Sequence, residues 1–110
     1  RAGETDKAES FWDPELYNLI NRLVLHLKPV GPIDIDIFKT DKGYVISEIN
    51  PRFGGGYPHA HELGQNFVSC IVNNLKGLAN LPRFGDYPPG IVMIKYDTIQ
   101  LIRQPYPIEK

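Results

Sequence analysis

In the stretch GPIDIDIFKTDKGYVISEINPRFGGG, residues 31–56, acidic and amide side chains alternate with apolar ones: Asp34, Asp36, Glu48 and Asn50, followed by Arg52. Carboxylate and amide oxygens are hard ligands. They suit magnesium or manganese, and magnesium usually takes one or two carboxylates together with phosphate oxygens and waters. Arg52 adds a fixed positive charge, and Gly54, Gly55 and Gly56 free the backbone to approach a ligand closely. The combination reads as a metal-phosphate site.

Two strands must hold these groups together. The apolar alternation over 32–40 and 44–50 flanks Asp41-Lys42-Gly43, a three-residue loop with glycine last, which predicts a hairpin with Gly43 at positive φ. That loop sets Asp36 opposite Glu48 and Asp34 opposite Asn50. Side chains alternate across a strand, so Ile33, Ile35, Ile37, Val45 and Ile49 face the core with Ser47 among them. The other face carries Asp34, Asp36, Glu48 and Asn50, beside Tyr44, Ile46 and Phe38. Opposed carboxylates about 5 Å apart repel by roughly 3 kcal/mol at an effective dielectric near 20. Two readings satisfy this charge: a bound cation, or Arg52 itself pairing with Asp34 or Asp36.

At these residues the chain resembles the ATP-grasp superfamily, and within it enzymes similar to the carbamoyl phosphate synthetase large subunit. The resemblance is carried by GPIDIDIF, by EINPRFGGGYP and by Gly3-Glu4-Thr5. It implies Asp36, Glu48 and Asn50 as magnesium or manganese ligands, with Arg52 at the terminal phosphate of ATP or at an acyl-phosphate. Asn50 and Arg52 thereby become nucleotide-site residues, joined by Arg1, Glu4 and Thr5 from the start of the chain. Asp34 and Asp36 stand where the synthetases more often have Asn and Gln, which leaves the role of Asp34 open. The implied activity is an ATP- and magnesium-dependent ligase. Such an enzyme phosphorylates a small carboxylate, and an amine or ammonia then displaces phosphate. The alternative is a non-catalytic nucleotide- or metal-binding module with a regulatory or structural role.

With 110 residues and a start at Arg1, the chain is expected to be the C-terminal half of an ATP-grasp module, inactive without the remaining half. The formal net charge of −1 offers no field for nucleic acid or an anionic membrane, and no apolar run approaches the roughly 20 residues that span a bilayer. A cytoplasmic protein is expected. Cys70 is a lone cysteine on an apolar helical pattern, expected as a buried structural thiol.

The rest of the chain supplies supporting elements. Asp13 and Pro14 predict a helix start, and Leu16, Leu19, Ile20, Leu23 and Leu27 recur on one face of it until Pro29. His26 falls near that helix's end as a structural or exposed residue. Pro58 and the HELG that follows His61 predict a short helix on which His59 and His61 diverge, against a zinc pair. A second main helix is expected from Gln65 or Asn66, with Phe67, Ile71, Leu75 and Leu78 inward and Gly77 as its cap. Residues 1–10 read as a polar leader or frayed edge strand, 80–89 as a loop, 90–96 and 99–103 as a hairpin about Asp97-Thr98, and 104–110 as a tail. The fold expected is α+β: a mainly antiparallel sheet with two main helices packed on its isoleucine face.

Overall fold

The computed structural model describes residues 6–105. In chain order these form strand β1 (Lys7–Glu9), helix α1 (Pro14–Leu27), strands β2 (Asp34–Thr40) and β3 (Gly43–Asn50), helices α2 (Tyr57–Glu62) and α3 (Phe67–Leu75), and strand β4 (Val92–Ile94). The class is α+β. The strands make two antiparallel pairs, β2 with β3 and β1 with β4. Arg1, Glu4 and Thr5 lie outside the described residues.

Local chemistry sets the helix ends. Asp13 Oδ1 accepts from the Glu15 amide at 3.0 Å, and Pro14 takes the first position, where no amide hydrogen is needed. Lys28 turns left-handed, returns its amide to the Val24 carbonyl at 2.8 Å, and Pro29 prevents continuation. Asn66 caps α3 by accepting from the Ser69 amide at 3.1 Å. At the other end Gly77, at φ 71°, lets Leu78 N–H reach the Asn73 carbonyl and its own N–H reach that of Asn74, a Schellman closure.

The β2–β3 ladder differs from the expected one in an instructive way. Thr40 pairs with Gly43, so the loop is Asp41-Lys42 alone, and Lys39 faces Tyr44, Phe38 faces Val45 and Ile37 faces Ile46. A bulge then skips Ser47, after which Asp36 faces Glu48, Ile35 faces Ile49 and Asp34 faces Asn50. The surplus residue is absorbed in the strand rather than in the turn. The face assignments near the loop are thereby corrected: Tyr44 and Ile46 join Ile35 and Ile37, while Val45 goes to the acidic side beside Phe38. Exposure agrees, with Tyr44 and Ile46 half-buried and Val45 open.

The expected hairpin over 90–103 is absent. A two-residue hairpin turn needs positive φ, and neither Asp97 nor Thr98 adopts it. The apolar run Val92–Ile94 pairs instead with Lys7–Glu9, extended by Ser10 N–H to the Ile91 carbonyl at 2.9 Å and Gly90 N–H to the Ser10 carbonyl at 2.6 Å. Part of the polar leader is therefore a strand, while 99–103 forms no regular element.

Coverage of the isoleucine face is loose. α1 stands beside it across a cleft of about 550 Å³ lined by Leu16, Ile20, Ile35 and Ile37. Another cleft separates Ile33 from Phe67, Cys70 and Ile71 of α3, so Cys70 is half-buried rather than enclosed. Among the described residues none is fully buried. The radius of gyration is 18.1 Å, against about 13 Å for a compact domain of this length. Among the described residues no helix is long and apolar enough to cross a membrane.

One polar tether joins α1 to the hairpin. The Tyr44 hydroxyl donates to Asp13 Oδ2, with Lys39 Nζ 4.0 Å from the same oxygen. That hydrogen bond, helped by the Glu15 amide, holds the Asp13 carboxyl below its usual 3.8, and it pushes Tyr44 up to about 12 from 10.0. A lowered acid stabilises the fold above its unfolded value and ceases to do so as pH falls through the folded one. A raised tyrosine contributes below pH 10.0 and is lost as pH climbs towards about 12. Melting temperature is accordingly expected to fall at both ends. Tyr44→Phe should flatten the alkaline fall and return the Asp13 carboxyl towards 3.8 in a carbon-detected NMR titration; an unmoved Asp13 would break the tether.

Candidate metal-phosphate site

The bulge at Ser47 determines what the site contains. Had the pairing near the loop continued without it, Ser47 would face Asp36 and Ile49 would face Asp34. Glu48 and Asn50 would then lie on the isoleucine side, because a one-residue slip exchanges the faces. With Ser47 skipped, Asp36 and Glu48 stand directly opposite, and Asp34 and Asn50 form the next pair on the same face. Bulges often re-aim side chains beside functional sites.

Asp36 and Glu48 are exposed, whereas Asp34 and Asn50 are half-buried. Among the described residues, no cationic side chain lies within ion-pair distance of Asp36 or Glu48. Arg52 goes to the other acid, its Nη1 standing 3.6 Å from Asp34 Oδ2. One of the two sequence readings is thus met at Asp34, and no described cationic side chain offsets the facing Asp36 and Glu48. Among the described residues no three His, Cys, Asp or Glu side chains are grouped to hold a metal ion. The oxygen groups that this face offers a cation would be the Asp36 and Glu48 carboxylates and the Asn50 amide. That donor set fits magnesium's habits.

The loop beyond β3 is built by its own residue types. Arg52 N–H returns to the Asn50 carbonyl at 2.8 Å, closing a tight turn about Pro51, whose φ is suited to it. Arg52 Nη1 also donates to the Phe53 carbonyl at 3.0 Å. Gly54 is required by close approach: a Cβ there would sit 2.4 Å from Asp34 Oδ1 and 2.5 Å from its Cγ. The Asp34 carboxylate therefore rests on the Gly54 backbone while holding Arg52.

Three contributors take roles that the sequence does not assign them. Lys95, the residue after β4, donates its ammonium to the Gly55 carbonyl and so ties the end of β4 to the glycine loop. The Tyr57 ring stacks on Phe67 and meets Phe53 at a tilt, with centroids 5.3 and 4.5 Å apart, and its hydroxyl accepts from the Phe67 amide at 2.9 Å. Gly54 was one glycine among three until the fold showed what touches it. His59 and His61 lie on α2 as expected and point apart: His61 Nδ1 is 3.0 Å from the Tyr57 hydroxyl, while His59 Nε2 is shut off from solvent without a partner. His26 is exposed in the last turn of α1.

No protein-family model matches this chain, and no curated protein matches it significantly.

Gly54→Ala is expected to displace the Asp34 carboxylate and release Arg52. Exposed ion pairs are worth about 0–1 kcal/mol, so the melting temperature should change little. The Arg52 Nε signal in an NMR spectrum should move to that of a free guanidinium, and an unmoved signal would show that the pair does not depend on Gly54.

Proposed function

We propose that this chain is the metal- and phosphate-holding half of an ATP-dependent ligase of the ATP-grasp type. The observation that carries the reading is the pair Asp36–Glu48, set opposite each other across a bulge, extended by Asn50 and matched by no cationic side chain among the described residues. Facing carboxylates without a cation destabilise a sheet, and a divalent ion supplies the charge that the described side chains do not. In this reading Asp36, Glu48 and Asn50 hold magnesium or manganese, which neutralises the phosphates of ATP. Arg52 stands beside them to meet the transferred phosphoryl group.

Phosphoryl transfer needs positioning and charge neutralisation more than covalent help from the protein, and these residue types provide both. The γ-phosphoryl group passes to a carboxylate oxygen of the substrate and ADP departs. An amine or ammonia nitrogen then attacks the acyl carbon, an amide forms and phosphate leaves. Glu4 and Thr5, with Arg1, are assigned to the nucleotide by the sequence pattern alone. The parent enzyme acts in the cytoplasm, where ATP is available, and the partner of this chain is the remaining half of the module.

The Arg52–Asp34 pair favours a second reading, a binding or structural module whose acidic face is partly self-neutralised. Titration calorimetry with manganese, with and without ADP, separates the two. The ligase reading expects saturable binding strengthened by ADP and weakened about tenfold or more in Glu48→Gln, the effect of a lost charged ligand. Absence of any manganese response in the native chain would favour the structural reading.

A further inference from the structure

Two cavities meet behind the glycine loop. The smaller, about 140 Å³, begins at Asp34 and Gly54 and runs between Ile33 and Tyr57. The larger, about 350 Å³, is walled by Phe11, Leu63 and Tyr87. Gly56, Ala60 and Phe67 line both, so the two adjoin as a trough that starts at Asp34, the acid that Arg52 pairs with, and ends among aromatic rings.

Of the polar side chains of the larger cavity, His59 keeps its Nε2 shut off from solvent without a partner, and the others are engaged. The Tyr87 hydroxyl donates to the Phe11 carbonyl at 2.5 Å and Ser10 Oγ to the Pro88 carbonyl at 2.8 Å. Gln65 donates to the Asp86 carbonyl at 2.6 Å, and Arg83 is tied to the Asp86 carboxylate at 2.5 Å. What the wall offers an occupant is apolar surface. At the mouth the reverse holds: opposite charges stand 3.6 Å apart, and the Arg52 side chain is 61% exposed.

From this pairing we infer that the trough binds an α-amino acid with a large apolar or aromatic side chain. Its carboxylate meets Arg52, its ammonium meets Asp34, and its side chain fills the space beyond Ala60. A zwitterion answers both charges at once, which neither a plain carboxylate nor a plain amine does. The inference rests on the ligase reading for its chemistry, in which the amino acid supplies the carboxylate, but its binding needs neither ATP nor metal. It also gives Asp34 a role distinct from metal ligation.

The test is ligand-observed NMR of the chain with L-phenylalanine, L-alanine, 3-phenylpropanoate and phenethylamine. Phenylalanine should bind about tenfold or more tightly than each of the others, since a site built for a polar group discriminates against analogues that lack it. Asp34→Asn should reduce phenylalanine to the level of 3-phenylpropanoate, and Ala60→Trp should reduce it to that of alanine. Should Ala60→Trp fail to fold, intermolecular Overhauser contacts from the bound ring to Phe67 and Tyr87 in the native chain decide in its place. Equal binding of phenylalanine and alanine, equal binding of phenylalanine and 3-phenylpropanoate, or no binding of phenylalanine overturns the assignment. The two readings fail separately: amino-acid selectivity without any manganese response sinks the ligase alone, and manganese binding without selectivity sinks the trough alone.

Discussion

Ser47 is the residue that the β2–β3 ladder leaves out, and the site depends on that omission. A strand has a period of two, so one surplus residue exchanges the faces of everything beyond it. On the loop side of the bulge, Tyr44 and Ile46 look towards α1. On the far side, Glu48 and Asn50 look away from it. One defect thus lets the same strand supply apolar cover and a tyrosine tether to the helix, and oxygen ligands to the opposite face. It also sets Asp36 opposite Glu48, a pairing that the two-residue loop would not give without it.

Around that pairing the chain arranges its charges unequally. Arg52 is drawn to Asp34 by a tight turn at Pro51 and by the seat that Gly54 gives the Asp34 carboxylate. Among the described residues the facing acids stay without a cationic partner, while the neighbouring corner becomes a balanced plus-minus pair. The first arrangement suits a cation and its phosphates, and the second suits a zwitterion. Lys95 and Tyr57 hold the loop between them from two sides, one from the end of β4 and one from α2.

The apolar surface is shared out in a comparable way. Leu16 and Ile20 of α1 stand across a cleft from Ile35 and Ile37, and Phe67, Cys70 and Ile71 of α3 across another from Ile33, while Leu75 and Leu78, expected inward, are 84% and 56% exposed. An accessible surface of 9390 Å² compares with about 6,200 Å² for a folded monomer of this mass. Isolated two-stranded sheets are marginal on their own, so much of the apolar surface of these elements stays available to whatever completes them. Ile99, Leu101 and Ile102, each at least 75% exposed, belong to the same surplus.

Much of the secondary structure was legible in residue types. Asp13-Pro14, Lys28-Pro29, Asn66 and Gly77 mark helix ends through local hydrogen bonding and φ limits that do not depend on distant parts of the chain. The pairing of Asp36 with Glu48 and of Asp34 with Asn50 was legible as well, although by way of a turn that the molecule does not use. A surplus residue can be lodged at the glycine or within the strand, and hairpin spacing alone does not distinguish the two. The partner of Val92–Ile94 was hidden because β pairing is set by contact between segments far apart in sequence, and an apolar run does not name its mate. Composition, alternation and capping determined that this chain would build helices, a hairpin and an acidic face. Only the tertiary structure decided which side Tyr44 takes, that Arg52 goes to Asp34, and that Gly54 leaves no room for a side chain, because each is a matter of atoms from separate elements occupying the same few ångströms.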